Sequence, residues 1–226
     1  DAHIARMDLD TTRTRSAYER IINDFSGEKT NILIGTQMVS KGLDFGKVSV
    51  VGILNADTML NYPDFRAYEQ AFTMMAQVSG RAGRKDRQGL VILQTRSPES
   101  PVIRQLSGND FKSFYHSLLE ERRLFRYPPF THIIYIYIRH KKEMIAETAA
   151  DSMATSLKNI LGDRVLGPDK PSVARIKQMA IRKIMLKLEN GINLDKVRDC
   201  LHKEESRIMQ QQLFATVQVI FDVDPL

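Results

Sequence analysis

Between residues 31 and 94, short apolar runs alternate with polar, glycine-bearing loops and one amphipathic stretch. The runs 31–34, 48–54 and 90–94 are too short for helices and read as strands, the first of them buried. Residues 64–77 lie among them as a helix. Phe65, Tyr68, Phe72, Met75 and Val78 recur there every three or four positions and are predicted to face a core. Strands that alternate with helices pair in parallel, because parallel neighbours need a crossover between them. Ligands of such sheets gather beyond the C-terminal ends of the strands. Thr36 and Asp57 fall at two such ends.

Two segments carry the polar chemistry. From Ile34 to Phe45, Gly35 and Gly42 permit tight turns while Thr36, Gln37, Ser40, Lys41 and Asp44 supply hydrogen-bonding groups. From Gln77 to Arg84, Gly80 and Gly83 allow close backbone approach. Arg81 and Arg84, three apart, can lie on one face of the same element. Two neighbouring guanidinium forks suit a polyanion, most obviously nucleotide phosphates. The bland alternative is a pair of solvated arginines ending a helix.

Together these segments resemble motifs V and VI of superfamily 2 helicases, which lie in the second of two RecA-like lobes. The wording from Gly35 to Phe45, Asn55 to Asp57, Gln77 to Arg84 and the ending Phe221 to Pro225 resemble the primosomal protein N′ family of replication-restart DNA helicases. The resemblance implies that Arg84 is the arginine finger and Arg81 a contact to the terminal phosphate, with charge stabilisation as their role. It implies that Gln77 and Gly80 belong to the nucleotide site, with Gly42 and Asp44 coupling it to DNA. Thr36 becomes a contact to the DNA backbone, a position that carries no sequence information. Gln37 and Lys41 are further candidates along the same track.

The second half begins at Tyr127-Pro-Pro-Phe130, where two prolines hold the chain extended. Beyond it the pattern reads β-α-β-β-α-β: a strand over 131–139, a helix over 142–160, a strand over 162–166, a basic hairpin, a helix over 194–209 and a last strand over 216–223. That order predicts a split βαβ domain. The expected fold is α/β, a RecA-like lobe with a parallel sheet followed by a smaller α+β domain. The expected divisions are 1–108, a bridging helix at 109–125 with Phe114, Leu118 and Phe125 on its apolar side, and 126–226. In the hairpin Lys177, Arg182, Lys183 and Lys187 make a basic stretch, of which Lys183 and Lys187 are candidate DNA contacts. The same stretch also fits the solvated face of a half-buried hairpin.

Composition sets limits. The formal charge is +6, with 33 Lys or Arg against 27 acids, which permits contact with nucleic acid. One cysteine, Cys200, excludes an internal disulfide and a cysteine-cluster metal site. The five histidines have no ligand spacing. The chain begins at Asp1, so a piece of a longer protein is expected. It contains no Gly-x-x-x-x-Gly-Lys-[Ser/Thr] loop, so ATP and Mg²⁺ would be shared with a first lobe lying elsewhere. Zinc is expected only in a region upstream. The resemblance further implies a bacterial, cytoplasmic, nucleoid-associated enzyme with 3′→5′ polarity. Its partners would be single-stranded and forked DNA, single-strand-binding protein and other primosome proteins, with no membrane. The rival readings are a double-stranded DNA translocase and a non-catalytic DNA- or protein-binding module.

Overall fold

The computed structural model describes residues 2–36, 48–80, 82 and 89–225. The chain divides into two compact units, Asp1–His116 and Ser117–Leu226.

In the first unit, β1 (Ile4–Met7) pairs in parallel with β2 (Ile32–Gly35), and α1 (Arg15–Ser26) is the crossover between them. Likewise β3 (Val50–Ile53) pairs in parallel with β4 (Leu90–Leu93), crossing over through α2 (Asp57–Leu60) and α3 (Ala67–Ser79). The described strands therefore form two parallel pairs. Ile32 and Ile34 are exposed, against the expectation of a buried strand, since among the described residues β1 and β2 pair only with each other. Asp10, Thr11 and Thr12 offer cap-forming side chains by residue type, but the N-cap of α1 is Thr14, whose hydroxyl accepts from the Ala17 N–H at 3.3 Å. Thr11 is instead drawn into a turn around Asp8. The four-residue α2 is too short to leave a periodic signature. α3 begins at Ala67 because the Asp64 carboxylate takes the Arg66 N–H at 2.8 Å and holds the chain in a turn. Ala67, Ala71, Phe72 and Met75 form its buried face. Tyr68, expected in the core, is exposed.

Two further helices follow, α4 (Pro101–Ser107) and α5 (Phe111–Leu124). Pro101 opens α4, where its missing N–H has no helical partner to lose. Phe114 of α5 lies flat on Phe72 of α3, with ring centroids 4.1 Å apart and planes 11° apart. Phe111 meets both rings at 6.0 and 6.5 Å. Phe125 falls past the end of α5 and is exposed, so the apolar side of that helix does not extend to it.

The second unit contains β5 (Thr131–His140), α6 (Glu143–Leu161), β6 (Val165–Asp169), the short β7 (Arg175–Ile176), β8 (Met179–Glu189), α7 (Leu194–Met209) and β9 (Gln218–Val223). The sheet order β6-β8-β5-β9 is antiparallel throughout, which is the split βαβ arrangement. Alternation sorts the faces. Ile134, Ile136 and Ile138 of β5, with Ile184, Leu186 and Leu188 of β8, join the core built with α6 and α7. Their odd-numbered neighbours face away from it. At Gly167, where β6 bulges against β8, φ is +92° and a Cβ would meet the Lys183 carbonyl at 3.0 Å, so only glycine fits without displacement.

Arg164 holds Glu189 in a forked pair that pulls the carboxyl down to about 2. A depressed folded-state value stabilises the fold above the ordinary glutamate range, and that contribution disappears as pH falls towards 2. Glu189→Gln is therefore expected to melt slightly below the parent chain at pH 6. The difference should shrink between pH 5 and pH 2 in a series of thermal melts. It should be small, since the pair is exposed.

Candidate nucleotide and DNA interface

The C-terminal end of β2 is the first piece of the site. Met7 is in register with Gly35, so the loop after β1 and the residue after β2 leave the sheet at the same end. Thr36 is exposed there. The neighbouring loop is tied by Asp8, whose carboxylate accepts the N–H groups of Asp10 at 3.1 Å and Thr11 at 3.0 Å, while Arg6 pairs with it at 2.7 Å. The Thr11 backbone bond, aided by the Thr11 hydroxyl and Arg6, keeps the Asp8 carboxyl below the usual range.

The end of β3 is organised by Asp57. One carboxylate oxygen accepts the Thr95 hydroxyl and the other the Arg96 N–H, both at 2.8 Å. These two bonds, the Arg96 one foremost, lower the Asp57 pKa. Asp57 thus clamps the loop after β4 to the end of β3. Its position past a strand end raised a functional expectation, and the geometry gives it a structural task.

The end of α3 is the third piece. Gln77 is exposed in its last turn and lines a groove of about 860 Å³ along α2 and α3, together with Met59, Tyr62, Arg66, Gln70 and Met74. Gly80 terminates the helix with φ −64°, and its N–H bonds back to the Ala76 carbonyl at 3.0 Å. A Cβ there would stand 3.4 Å from that carbonyl, an ordinary contact, so local backbone does not demand glycine. A bare Gly80 beside an exposed amide fits the close approach of a ligand. Arg81, Gly83 and Arg84 lie outside the described residues, as do Gln37, Lys41, Gly42 and Asp44. Among the described residues no group of three His, Cys, Asp or Glu side chains is set to hold a metal ion. What is present at the end of α3 is an exposed amide beside an open backbone.

In the second unit the hairpin cations separate. Arg182 points to the helical layer, with only 7% of the residue exposed, and is spent on Glu143 at 2.9 Å and Glu147 at 3.5 Å. The Arg182 bond, with Lys170 adding to it, lowers the Glu143 pKa. Lys187 sits 3.6 Å over the Tyr127 ring and donates to the Phe125 carbonyl at 2.7 Å. Burial, with a smaller push from Arg126, moves its ammonium below the ordinary lysine value. Lys187 thus fastens the Tyr127-Pro-Pro-Phe130 segment to β8. Lys183 remains on the face away from the helices, 4.6 Å over the Tyr135 ring.

Comparison with known proteins gives this geometry its setting. The helicase conserved C-terminal domain family matches residues 3–86, and the primosomal protein N C-terminal domain family matches residues 123–226. The replication restart protein PriA of Bacillus subtilis is 35% identical over 99% of this chain. That of Treponema pallidum is 36% identical over 99%, and that of Synechocystis 33% identical over 100%. This chain is a segment of the PriA family. It spans 28%, 33% and 26% of the length of those PriA proteins, respectively. Its architecture is that of a RecA-like helicase lobe followed by a smaller α+β region. Thr36, Gln77 and Gly80 all fall within the helicase match; Lys183 and Lys187 fall within the PriA C-terminal match. Residues between the two matches include α4 and all of α5 but its last two residues. No helix among the described residues is long and apolar enough to cross a membrane.

Proposed function

We propose that this PriA-family segment forms most of the second motor lobe and the C-terminal domain of an ATP-dependent 3′→5′ DNA helicase of replication restart and primosome assembly. The observation that carries the reading is the end of α3. An exposed Gln77 and a glycine not required by its own backbone lead directly into the Arg81 to Arg84 sequence, inside a match to a helicase domain. ATP, bound with Mg²⁺ against a first lobe, supplies the phosphoryl group whose transfer drives the motor.

The residues of this chain then divide the work. Gln77 orients the nucleotide, and Gly80 lets the backbone come close. Arg81 binds the terminal phosphate, and Arg84 stabilises the charge that develops on transfer. Asp44 and Gly42 link that state to the strand contacts of Thr36, Gln37 and Lys41, which advance along one DNA strand as the lobes close and open. Lys183 adds a contact from the C-terminal domain. Forked and single-stranded DNA are the substrates, and single-strand-binding and other primosome proteins the partners. Zinc belongs to the region upstream, and the setting is the bacterial cytoplasm.

The test compares the full-length protein with this chain alone. DNA-stimulated ATP hydrolysis and displacement of a strand from a fork are expected of the first, and neither of the second. Robust DNA-stimulated turnover by the chain alone would contradict the shared site.

A further inference from the structure

The chain leaves β8 through the turn Glu189-Asn190-Gly191-Ile192, closed by the Ile192 N–H on the Glu189 carbonyl at 3.2 Å. Gly191, third in the turn, has a φ of +93°, a left-handed conformation that glycine adopts freely. A Cβ there would meet nothing within 4 Å, so the space around this backbone is open. Asn190 is exposed, and its side-chain amide donates to the Pro129 carbonyl at 3.0 Å. Among the described residues nothing accepts the Gly191 N–H. An unblocked main-chain nitrogen thus follows directly on a side-chain amide carbon that it can attack.

The other asparagines are placed differently. The sequence has eight, and Asn190 is the one followed by glycine. The N–H groups after Asn31, Asn55, Asn61 and Asn109 are spent on the carbonyls of His3, Gln94, Met59 and Gln105. Asn23 and Asn159 lie inside α1 and α6, where the helix holds the next N–H. Asn193 uses its side chain to cap α7, taking the Lys196 N–H at 3.0 Å, and it precedes Leu194, whose side chain shields the nitrogen.

We propose that Asn190 and Gly191 form a self-modification site, where the asparagine deamidates to aspartate and isoaspartate in the folded protein. The Gly191 nitrogen attacks the Asn190 Cγ, and an N–Cγ bond forms. The Cγ–Nδ2 bond breaks, and ammonia leaves with the proton that the nitrogen carried. Water is the second reactant. It opens the five-membered ring at Cγ to give aspartate, or at the Asn190 main-chain carbonyl to give isoaspartate, and nothing is oxidised or reduced. One exposed hydrogen bond, to Pro129, is what the leaving amide gives up.

Both products change the joint between the end of β8 and the Tyr127 to Phe130 segment. A carboxylate cannot donate, so two acceptors then face each other across the former Asn190–Pro129 bond. Isoaspartate also lengthens the main chain by one methylene between β8 and α7, inside the turn that leads to the Asn193 cap. The segment keeps its tie to Lys187 through the Phe125 carbonyl and loses the one at Asn190.

The experiment ages the full-length protein in mildly alkaline buffer and follows it by peptide mapping. Trypsin releases residues 188–196 as one peptide carrying both Asn190 and Asn193, and fragmentation tells the two apart. Asn190 is expected to convert roughly tenfold ahead of any other asparagine of this segment, because glycine alone presents its nitrogen without a Cβ. Both products should appear. Asn190→Gln keeps an amide donor but must close a larger ring, so it should stay unmodified over the same period. In the aged parent, hydrogen exchange should speed up at Thr131 and Ile192 and stay unchanged in α1, while aged Asn190→Gln shows neither change. Conversion of another asparagine first, conversion of Asn190 only in denaturant, or unaltered exchange at Thr131 and Ile192 after conversion would each overturn the proposal.

Discussion

Replacing Arg84 by Ala in the full-length protein is expected to lower DNA-stimulated ATP turnover by about 10²-fold or more, while DNA binding is retained. That loss corresponds to roughly 3 kcal/mol of transition-state stabilisation. The size follows from what a guanidinium does at a transferring phosphoryl group. It meets charge that grows only in the transition state, so its removal appears in kcat more than in substrate affinity. Lysine is not an adequate substitute, because a single ammonium cannot present two parallel donors. Arg84→Lys should therefore recover only part of the rate. Turnover measured on a forked substrate decides the matter, with anisotropy on the same DNA as the control. Unchanged turnover in Arg84→Ala would remove Arg84 from the phosphates and favour a binding role for the chain.

The second large effect concerns stability. Phe114→Ala is expected to destabilise the first unit by about 3–5 kcal/mol. Phe114 is 4% exposed and Phe72 is 5% exposed, each covering the other's face. Truncation opens a cavity against Phe72 and discards the stacking that such ring pairs add to plain burial. Phe114→Leu, which refills most of the volume, should cost clearly less. Hydrogen exchange gives the sharper readout: amides of α3 should lose protection while those of α6 keep theirs. Equal loss in both helices, or none, would contradict the assigned contact. Phe114 lies between the two family matches. Part of the support of the helix that ends at Gly80 thus comes from residues that neither family match covers.

Much of this architecture was readable in the residues, and the failures have physical causes. Ile184, Leu186 and Leu188 alternate in the sequence with Lys183, Lys187 and Glu189, and they form the core face of β8, since a strand half-covered by helices must alternate. The periodic stretch before Gln77 identified α3, but periodicity places a stripe without saying which flank is covered, and Tyr68 lay on the open one. The caps were harder to read. Asp10, Thr11 and Thr12 all carry cap-forming side chains, but Asp8 draws the Asp10 and Thr11 N–H groups into its own turn before the helix starts. Among the hairpin cations, residue type could not separate Arg182, folded onto Glu143, from Lys183 on the opposite face. Lys187 shares that face with Lys183 but is held by a carbonyl and a ring from a segment some sixty residues earlier. For the nucleotide side, Gln77 and Gly80 are exposed at the end of α3; their contact with a nucleotide is the proposal.

The division between the two units falls within α5, which bears on how the C-terminal domain can be produced by itself. Starting ahead of Phe111 keeps the helix whole but leaves Phe111 and Phe114 without the Phe72 ring they rest on, an invitation to aggregate. Starting after Leu124 removes Arg122, which donates to the Pro128 carbonyl at 3.1 Å, and Arg123, which lies over Phe130. A boundary at Ser117 keeps both arginines and drops both rings. Soluble expression should favour that start.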